Sequence, residues 1–304
     1  MGIGRGYGKL LLFGEHSAVY GHPALGIRLD HYLEVEIRQE SLVGWVVPEV
    51  AEHERRLIVA ALAEVSVRLP AMPVAGTLMV RGTLPMGVGF GSSAAFCTAL
   101  LRAGGFAPDT NRDARALWTE AHRLEHVFHG TPSGIDTGLS IYPGASMMEP
   151  SPPGLPRRTP VTLPRAALLV GALPRTRTTA ALVAAIRERR SRDEAPVEAA
   201  MARLGEYARR AASPDLCASA AELGRTADDA QELLAGLGLS TPALEAVLAT
   251  LRHEGACGAK LSGAGGGGAF YGVFRTEGEA EAAAAVMRRE QTQAGITYLR
   301  TVTL

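Results

Sequence analysis

The stretch Pro85 to Ala95, PMGVGFGSSAA, is the part of this chain best suited to chemistry. Glycine at positions 87, 89 and 91 removes every second side chain, so backbone N–H groups can close on an anion that bulkier residues would exclude. After Ser92 and Ser93 the sequence turns apolar and alanine-rich, which predicts a helix whose free N–H groups and dipole point at the same place. Together they read as a phosphate cradle, and the bland alternative is a glycine-rich turn capped by serine. Two better-known cradles are absent: there is no G-x-x-x-x-G-K-[ST], and no acidic residue follows a first strand as a dinucleotide site requires.

Other polar residues stand where packing alone would not put them. Glu125 falls near the end of a helix predicted over residues 111–128, where the dipole disfavours a carboxylate. It lies just ahead of HGTPSGID, a Gly-Pro-Ser loop whose single acid is Asp136. Glu15 and His16 follow a buried strand predicted over residues 8–14, GKLLLFG, and polar groups at strand ends carry function on such scaffolds. The pattern HRLEH at 122–126 fits one class of zinc site, but five residues are a weak signal and no zinc centre is expected.

These residues need a mixed scaffold to hold them. Ala24 to Leu29 and Tyr32 to Arg38 read as two strands, a helix spans about 51–68, and GTLMVRG is a strand that enters the cradle. Residues 104–110 form a loop ahead of the 111–128 helix, whose Leu117, Ala121, Leu124 and Phe128 share one stripe. The proline-rich stretch Glu149 to Pro160 is the clearest composition break and gives domains 1–160 and 161–304. Beyond it come a strand, RAALLVGAL, a polar turn, PRTRTT, and a helix, AALVAAIRERR. Capping signals at Ser213, Thr226 and Ser240-Thr241-Pro242 mark three further helices. The chain closes with strand, glycine-rich loop and strand in GAKLSGAGGGGAFYGVF, a helix over 277–291 and the strand ITYLRTVTL, an α+β arrangement.

Composition narrows the ligand. Lys plus Arg and Asp plus Glu both number 31 in 304 residues, so bulk charge favours neither nucleic acid nor an anionic membrane. Aromatic residues make up 5%, too few for a base-stacking platform. Cys97, Cys217 and Cys257 are far apart and form no C-x-x-C pair, which fits reduced core thiols. No apolar run is long enough to span a membrane, so a cytoplasmic protein is expected.

Three stretches, GKLLLFGEHSAVYGHPA, PMGVGFGSSAA and KLSGAGGGGAFYGVF, resemble in order and spacing the motifs of the GHMP kinase family, over nearly the whole chain. Within it, GEH continued by SAVYGHPA, HGTPSGID with a glutamate eleven residues before its Asp, PRTRTTAALVAAIR and LGLSTPALEAVL resemble the members that act on mevalonate. Phe90 stands where leucine is usual. The resemblance implies a ribosomal-S5-like N-terminal domain and a ferredoxin-like C-terminal one, with the site in the cleft between them. It implies transfer of the γ-phosphoryl group of ATP to the primary hydroxyl of mevalonate, giving 5-phosphomevalonate and ADP on the route to isopentenyl diphosphate. The partners so implied are ATP, Mg2+ and mevalonate, for a monomer or homodimer without nucleic acid or membrane.

By the same resemblance, Pro85, Gly87, Gly89, Gly91, Ser92, Ser93 and Ala94 bind ATP. Ser93, or its neighbour Ser92, and Glu125 hold Mg2+. Asp136 takes or orients the hydroxyl proton, because an ordinary aspartate is a weak base for an alcohol, and Lys9 beside it stabilises charge on the transferring group. Glu15, His16, Ser133, Arg177 and Thr179 match substrate-binding positions, with His16 meeting the carboxylate or tertiary hydroxyl of mevalonate. The third motif, Gly263 to Gly268, supports the cradle. The rivals are a phosphomevalonate or sugar kinase of the same family, and a silent ligand sensor. A phosphorylated substrate wants more cations than Arg175 and Arg177, and Lys9, Glu125 and Asp136 argue against a sensor.

Overall fold

Glycine occupies every second position at the start of β1 (Gly2–Phe13), and the reason is the helix lying on it. A Cβ at Gly2, Gly4 or Gly6 would stand 1.9, 2.2 or 1.8 Å from the carbonyl oxygens of Ala103, Ala99 and Ala95. These three carbonyls belong to α2 (Ser92–Ala103), whose backbone therefore rests directly on the strand. The strand begins six residues before the expected one, because alternating glycine carries no strand signal of its own. Gly6→Ala is expected to lower the melting temperature through overpacking of about 1–3 kcal/mol. Gly278→Ala, whose added methyl meets nothing within 4 Å, is expected to leave the melt unchanged or raise it.

The computed structural model describes residues 2–40, 44–48, 50–69, 72–106 and 111–304. Residues 107–110 of the expected 104–110 loop lie outside them. The chain divides into two compact units, Met1–Lys9 with Arg28–Pro143 and Leu10–Ile27 with Gly144–Leu304. In the first unit, β2 (Ala24–Arg38) pairs antiparallel with β4 (Gly76–Gly82) from Leu33↔Gly82 to Arg38↔Thr77. The short β3 (Trp45–Val46) pairs parallel with β4, and β1 pairs with β2. The two strands expected over residues 24–38 form one, since the polar pair Asp30-His31 leaves the backbone extended. The helices are α1 (Glu52–Arg68), α2, α3 (Asn111–Glu125) and α4 (Ile135–Ile141), with α2 packed on α3 and α4. Leu117, Ala121 and Leu124 are buried, as the stripe requires, but α3 ends at Glu125, short of the expected residue 128, and Phe128 is half-buried in the turn beyond it.

In the second unit, β2 pairs through Ala24–Ile27 with β5 (Ala145–Glu149), and β5 with β6 (Arg157–Val161). The proline-rich stretch thus holds the connection between two paired strands, residues 150–156, and most of β6 itself, and compactness divides the chain at Pro143–Gly144, ahead of residue 160. Pro160 is tolerated because β6 is an edge strand. A second sheet has the order β10-β7-β9-β8, all antiparallel: β7 (Ala167–Leu173), β8 (Gly258–Leu261), β9 (Gly268–Phe274) and β10 (Tyr298–Thr303). Its central strands β7 and β9 are buried throughout, which is why they read as unbroken apolar runs.

The remaining helices are α5 (Thr179–Arg192), α6 (Glu194–Ala212), α7 (Ala220–Gly236), α8 (Pro242–His253) and α9 (Glu277–Ala294). Two of the expected caps differ. Ser213 ends α6, and Thr226 lies inside α7 with its hydroxyl donating to the Glu222 carbonyl, a bond open to any mid-helix threonine. The cap of α7 is Ser219, which accepts from the Glu222 N–H, while the Glu222 carboxylate accepts from the Ala218 N–H. Thr241 caps α8 as expected, with Pro242 opening the helix. Among the described residues no helix is long and apolar enough to cross a membrane.

Candidate active site

The cradle takes the backbone shape that its glycines allow. Gly87, Gly89 and Gly91 have φ of 75, 110 and 73°, a region closed to most side chains. The Gly87 N–H donates to Ser92 Oγ at 3.3 Å, so the loop closes on the first residue of α2. Gly91 caps α2 without a side-chain bond, and this leaves the first-turn N–H groups for an anion. Phe90 is fully buried and pins the loop to the core, while its carbonyl accepts from the Lys9 N–H at 2.9 Å. Pro85, Ser92 and Ser93 are half-buried and Ala94 is buried.

Lys9 runs along this loop. A Cβ at Gly91 would stand 2.7 Å from Lys9 Cγ, so only glycine lets the lysine stem pass. The Lys9 ammonium is buried and lies 3.1 Å from Asp136 Oδ2. Their meeting is set by register. Ser140, one turn after Asp136 in α4, donates to the Tyr7 carbonyl, two residues before Lys9 in β1. Trp118 Nε1 donates at 2.8 Å to the Gly134 carbonyl, which ties α3 to the start of α4.

Glu125, the last residue of α3, is 3% exposed, so it is no solvated surface charge. Burial first, and Asp136 second, push its carboxyl up to about 8, against an opposing pull from Lys9. Ser93 Oγ is 2.9 Å from His129 Nε2, and this histidine was not among the residues expected from the motifs. His129 stands in the loop after α3, and nothing in HGTPSGID beyond its polarity marks it. Ser133 is exposed, its hydroxyl accepting from the Ile135 N–H within its own turn. His126 Nδ1 bonds the Gly130 carbonyl at 3.2 Å, and among the described residues no group of three or more His, Cys, Asp or Glu is placed to share a metal.

In the second unit, Glu15 and His16 follow β1 in a turn with His16 at φ 59°, the one described non-glycine residue at positive φ. Glu15 was expected to touch substrate, but it is 1% exposed and its carboxylate faces Lys260 Nζ at 2.5 Å. It is a buried counter-ion. His16 Nε2 lies 2.9 Å from the Ala264 carbonyl, which only accepts, so Nε2 carries the proton. Burial lowers the imidazole pKa, and the ring stays neutral with Nδ1 as an acceptor.

Arg177 and Thr179 are exposed in the turn before and at the start of α5, and Thr179 Oγ accepts from Arg175 Nη1 at 2.9 Å. The third glycine-rich motif packs on that turn. The Gly266 carbonyl accepts from the Thr176 N–H at 2.8 Å, and a Cβ at Gly267 would stand 2.3 Å from the Pro174 carbonyl oxygen.

Comparison with known proteins agrees with this architecture. Residues 56–144 match the GHMP kinases N terminal domain and residues 212–292 match GHMP kinases C terminal. The chain belongs to the GHMP kinases. It is similar to the mevalonate kinase of Archaeoglobus fulgidus, 29% identical over 273 residues that cover 89% of this chain and 91% of that protein. It is similar also to the mevalonate kinase of Thermococcus gammatolerans, 28% identical over 91% of this chain and 90% of that one. The crystal structure of L. major mevalonate kinase with R-mevalonate has the same fold, with a TM-score of 0.85 at 24% identity over 99% of this chain and 96% of that one.

Proposed function

We propose that this chain transfers the γ-phosphoryl group of ATP to the primary hydroxyl of mevalonate, giving 5-phosphomevalonate and ADP. The observation that carries the reading is the convergence, in one unit, of Lys9, Asp136 and Glu125 beside an N–H-lined loop opening a helix. In the reaction the cradle N–H groups and the α2 terminus hold phosphate oxygens. The substrate oxygen attacks the γ-phosphorus, the bond to the bridging oxygen breaks, and the hydroxyl proton passes to Asp136 and on to water as ADP leaves. Lys9 fixes the Asp136 carboxylate and places its positive charge where the transferring group passes. His16, neutral with Nδ1 as acceptor, suits a substrate hydroxyl rather than a carboxylate, and Arg177 suits the carboxylate.

Glu125 and the Ser93 hydroxyl fit Mg2+. A buried carboxyl held near 8 is short of positive charge, and a hard cation takes carboxylate and hydroxyl oxygens. Bound there, Mg2+ supplies charge neutralisation of the triphosphate. A coupled ADP-release assay with mevalonate, phosphomevalonate, galactose and homoserine tests the proposal. ADP is expected with mevalonate alone. Release with another member of the set would move the reading elsewhere in the family, and release with none would make the chain a ligand sensor.

A further inference from the structure

The third glycine-rich motif carries a charge that ATP chemistry does not explain. Lys260 is fully buried and so is its partner Glu15, 245 residues away in sequence and in the same unit. The Lys260 ammonium donates to Glu15 Oε1 at 2.5 Å and to the Leu261 carbonyl at 2.7 Å. It also sits 5.6 Å from the ring centroid of Phe13 and 5.5 Å from that of Tyr271. A buried ion pair is a poor source of stability, since apolar residues of similar volume generally do as well. What it supplies is direction, because the ammonium, itself fixed by the Leu261 carbonyl, draws the Glu15 carboxylate to one place.

The surrounding bonds show what is being held. Ser262 Oγ donates to the Leu11 carbonyl and the Tyr271 hydroxyl to the Leu12 carbonyl, both at 2.8 Å, and His16 Nε2 donates to Ala264. Side chains of the third motif and β9 thus grip residues 11, 12 and 15, and His16 grips the motif in return. The held segment is strained at His16, which adopts φ 59° against its chirality, and close-packed at Gly14, where Ala24 leaves no room for a Cβ. Such a turn persists only where neighbours over-determine it.

We propose that Lys260 is a positioning residue, whose ion pair with Glu15 holds the turn that fixes the His16 imidazole, the group that on the reading above meets the tertiary hydroxyl of the substrate. The third motif then shapes the turn at residues 14–16 from within the same unit, and Glu15 acts as a buried tether. This rests on the mevalonate kinase reading for the identity of the substrate, but not for the state of His16.

The test compares Lys260→Met with Glu15→Gln/Lys260→Met. The single variant takes the ammonium away from a buried carboxylate and is expected to melt early or fail to fold, while the double variant removes both charges and is expected to melt cooperatively near the wild-type temperature. In the folded double variant, 15N NMR of the free protein is expected to show His16 losing its fixed Nε2–H tautomer and titrating closer to an ordinary imidazole. The KM for mevalonate is expected to rise about tenfold or more, with the KM for ATP within about twofold. A folded double variant in which either the His16 spectrum or the mevalonate KM stays at its wild-type value overturns the proposal. Absence of ADP release by wild type with mevalonate would instead overturn the substrate assignment, and the imidazole measurement would still decide the role of Lys260.

Discussion

Asp136→Asn is expected to lower kcat by about 10²–10⁴-fold while leaving the KM for ATP within a few-fold of wild type. Asparagine keeps the size of the side chain and its place one residue into α4 but cannot receive the hydroxyl proton. The cradle should be unaffected, because its shape comes from Gly87, Gly89, Gly91 and the buried Phe90. Lys9 would lose the carboxylate 3.1 Å from its ammonium, so Lys9→Met is expected to fall in the same range, and the double variant to fall little further. Steady-state kinetics with saturating ATP checks this. An asparagine variant retaining more than about a third of wild-type kcat would remove Asp136 from the reaction.

Asp136 and Lys9 enter that prediction through the family resemblance, whereas the shape of the cradle and the oddity of Glu125 follow from local rules. Alternating glycines before an apolar helix need little tertiary information to suggest an anion site, and Glu125 at the wrong end of a dipole advertises a local cause. The α+β class followed from the order of apolar runs. What stayed hidden depends on partners far away in sequence. Gly2, Gly4 and Gly6 carry no strand signal until α2 is laid on them. Nothing in the sequence marks Lys260, since its burial is intelligible only beside Glu15, and the burial of Glu15 was hidden for the same reason. The proline-rich stretch reads as a composition break, and that residues 157–161 within and after it form a strand paired with β5 depends on a partner the local composition does not show. Thr226 and Ser213 failed as caps because a hydroxyl serves a helix interior or C-terminus as readily as an N-terminus.

Glu125→Gln is expected to move stability and turnover in opposite directions. In the folded metal-free protein the Glu125 carboxyl titrates at about 8, against an ordinary value of 4.5, chiefly because it is buried and secondarily because Asp136 is near. Between those two values the native state holds a proton that the unfolded chain has released, so the stability tied to this group is complete below 4.5. It declines as pH rises and is fully lost once pH passes 8. Glutamine has nothing to ionise. The variant should match wild type in denaturant melts near pH 4.5, gain on it progressively, and keep a constant advantage above pH 8. Turnover should go the other way. Without the charge, the site that fits Mg2+ keeps one carbonyl oxygen and the Ser93 hydroxyl, and kcat with ATP and mevalonate is expected to fall about 10²-fold or more. A stability gap between variant and wild type that does not vary with pH would mean that Glu125 is ionised in the folded protein, with a counter-charge already in place. A gap that opens with pH alongside intact turnover would instead confine the buried carboxyl to an architectural role.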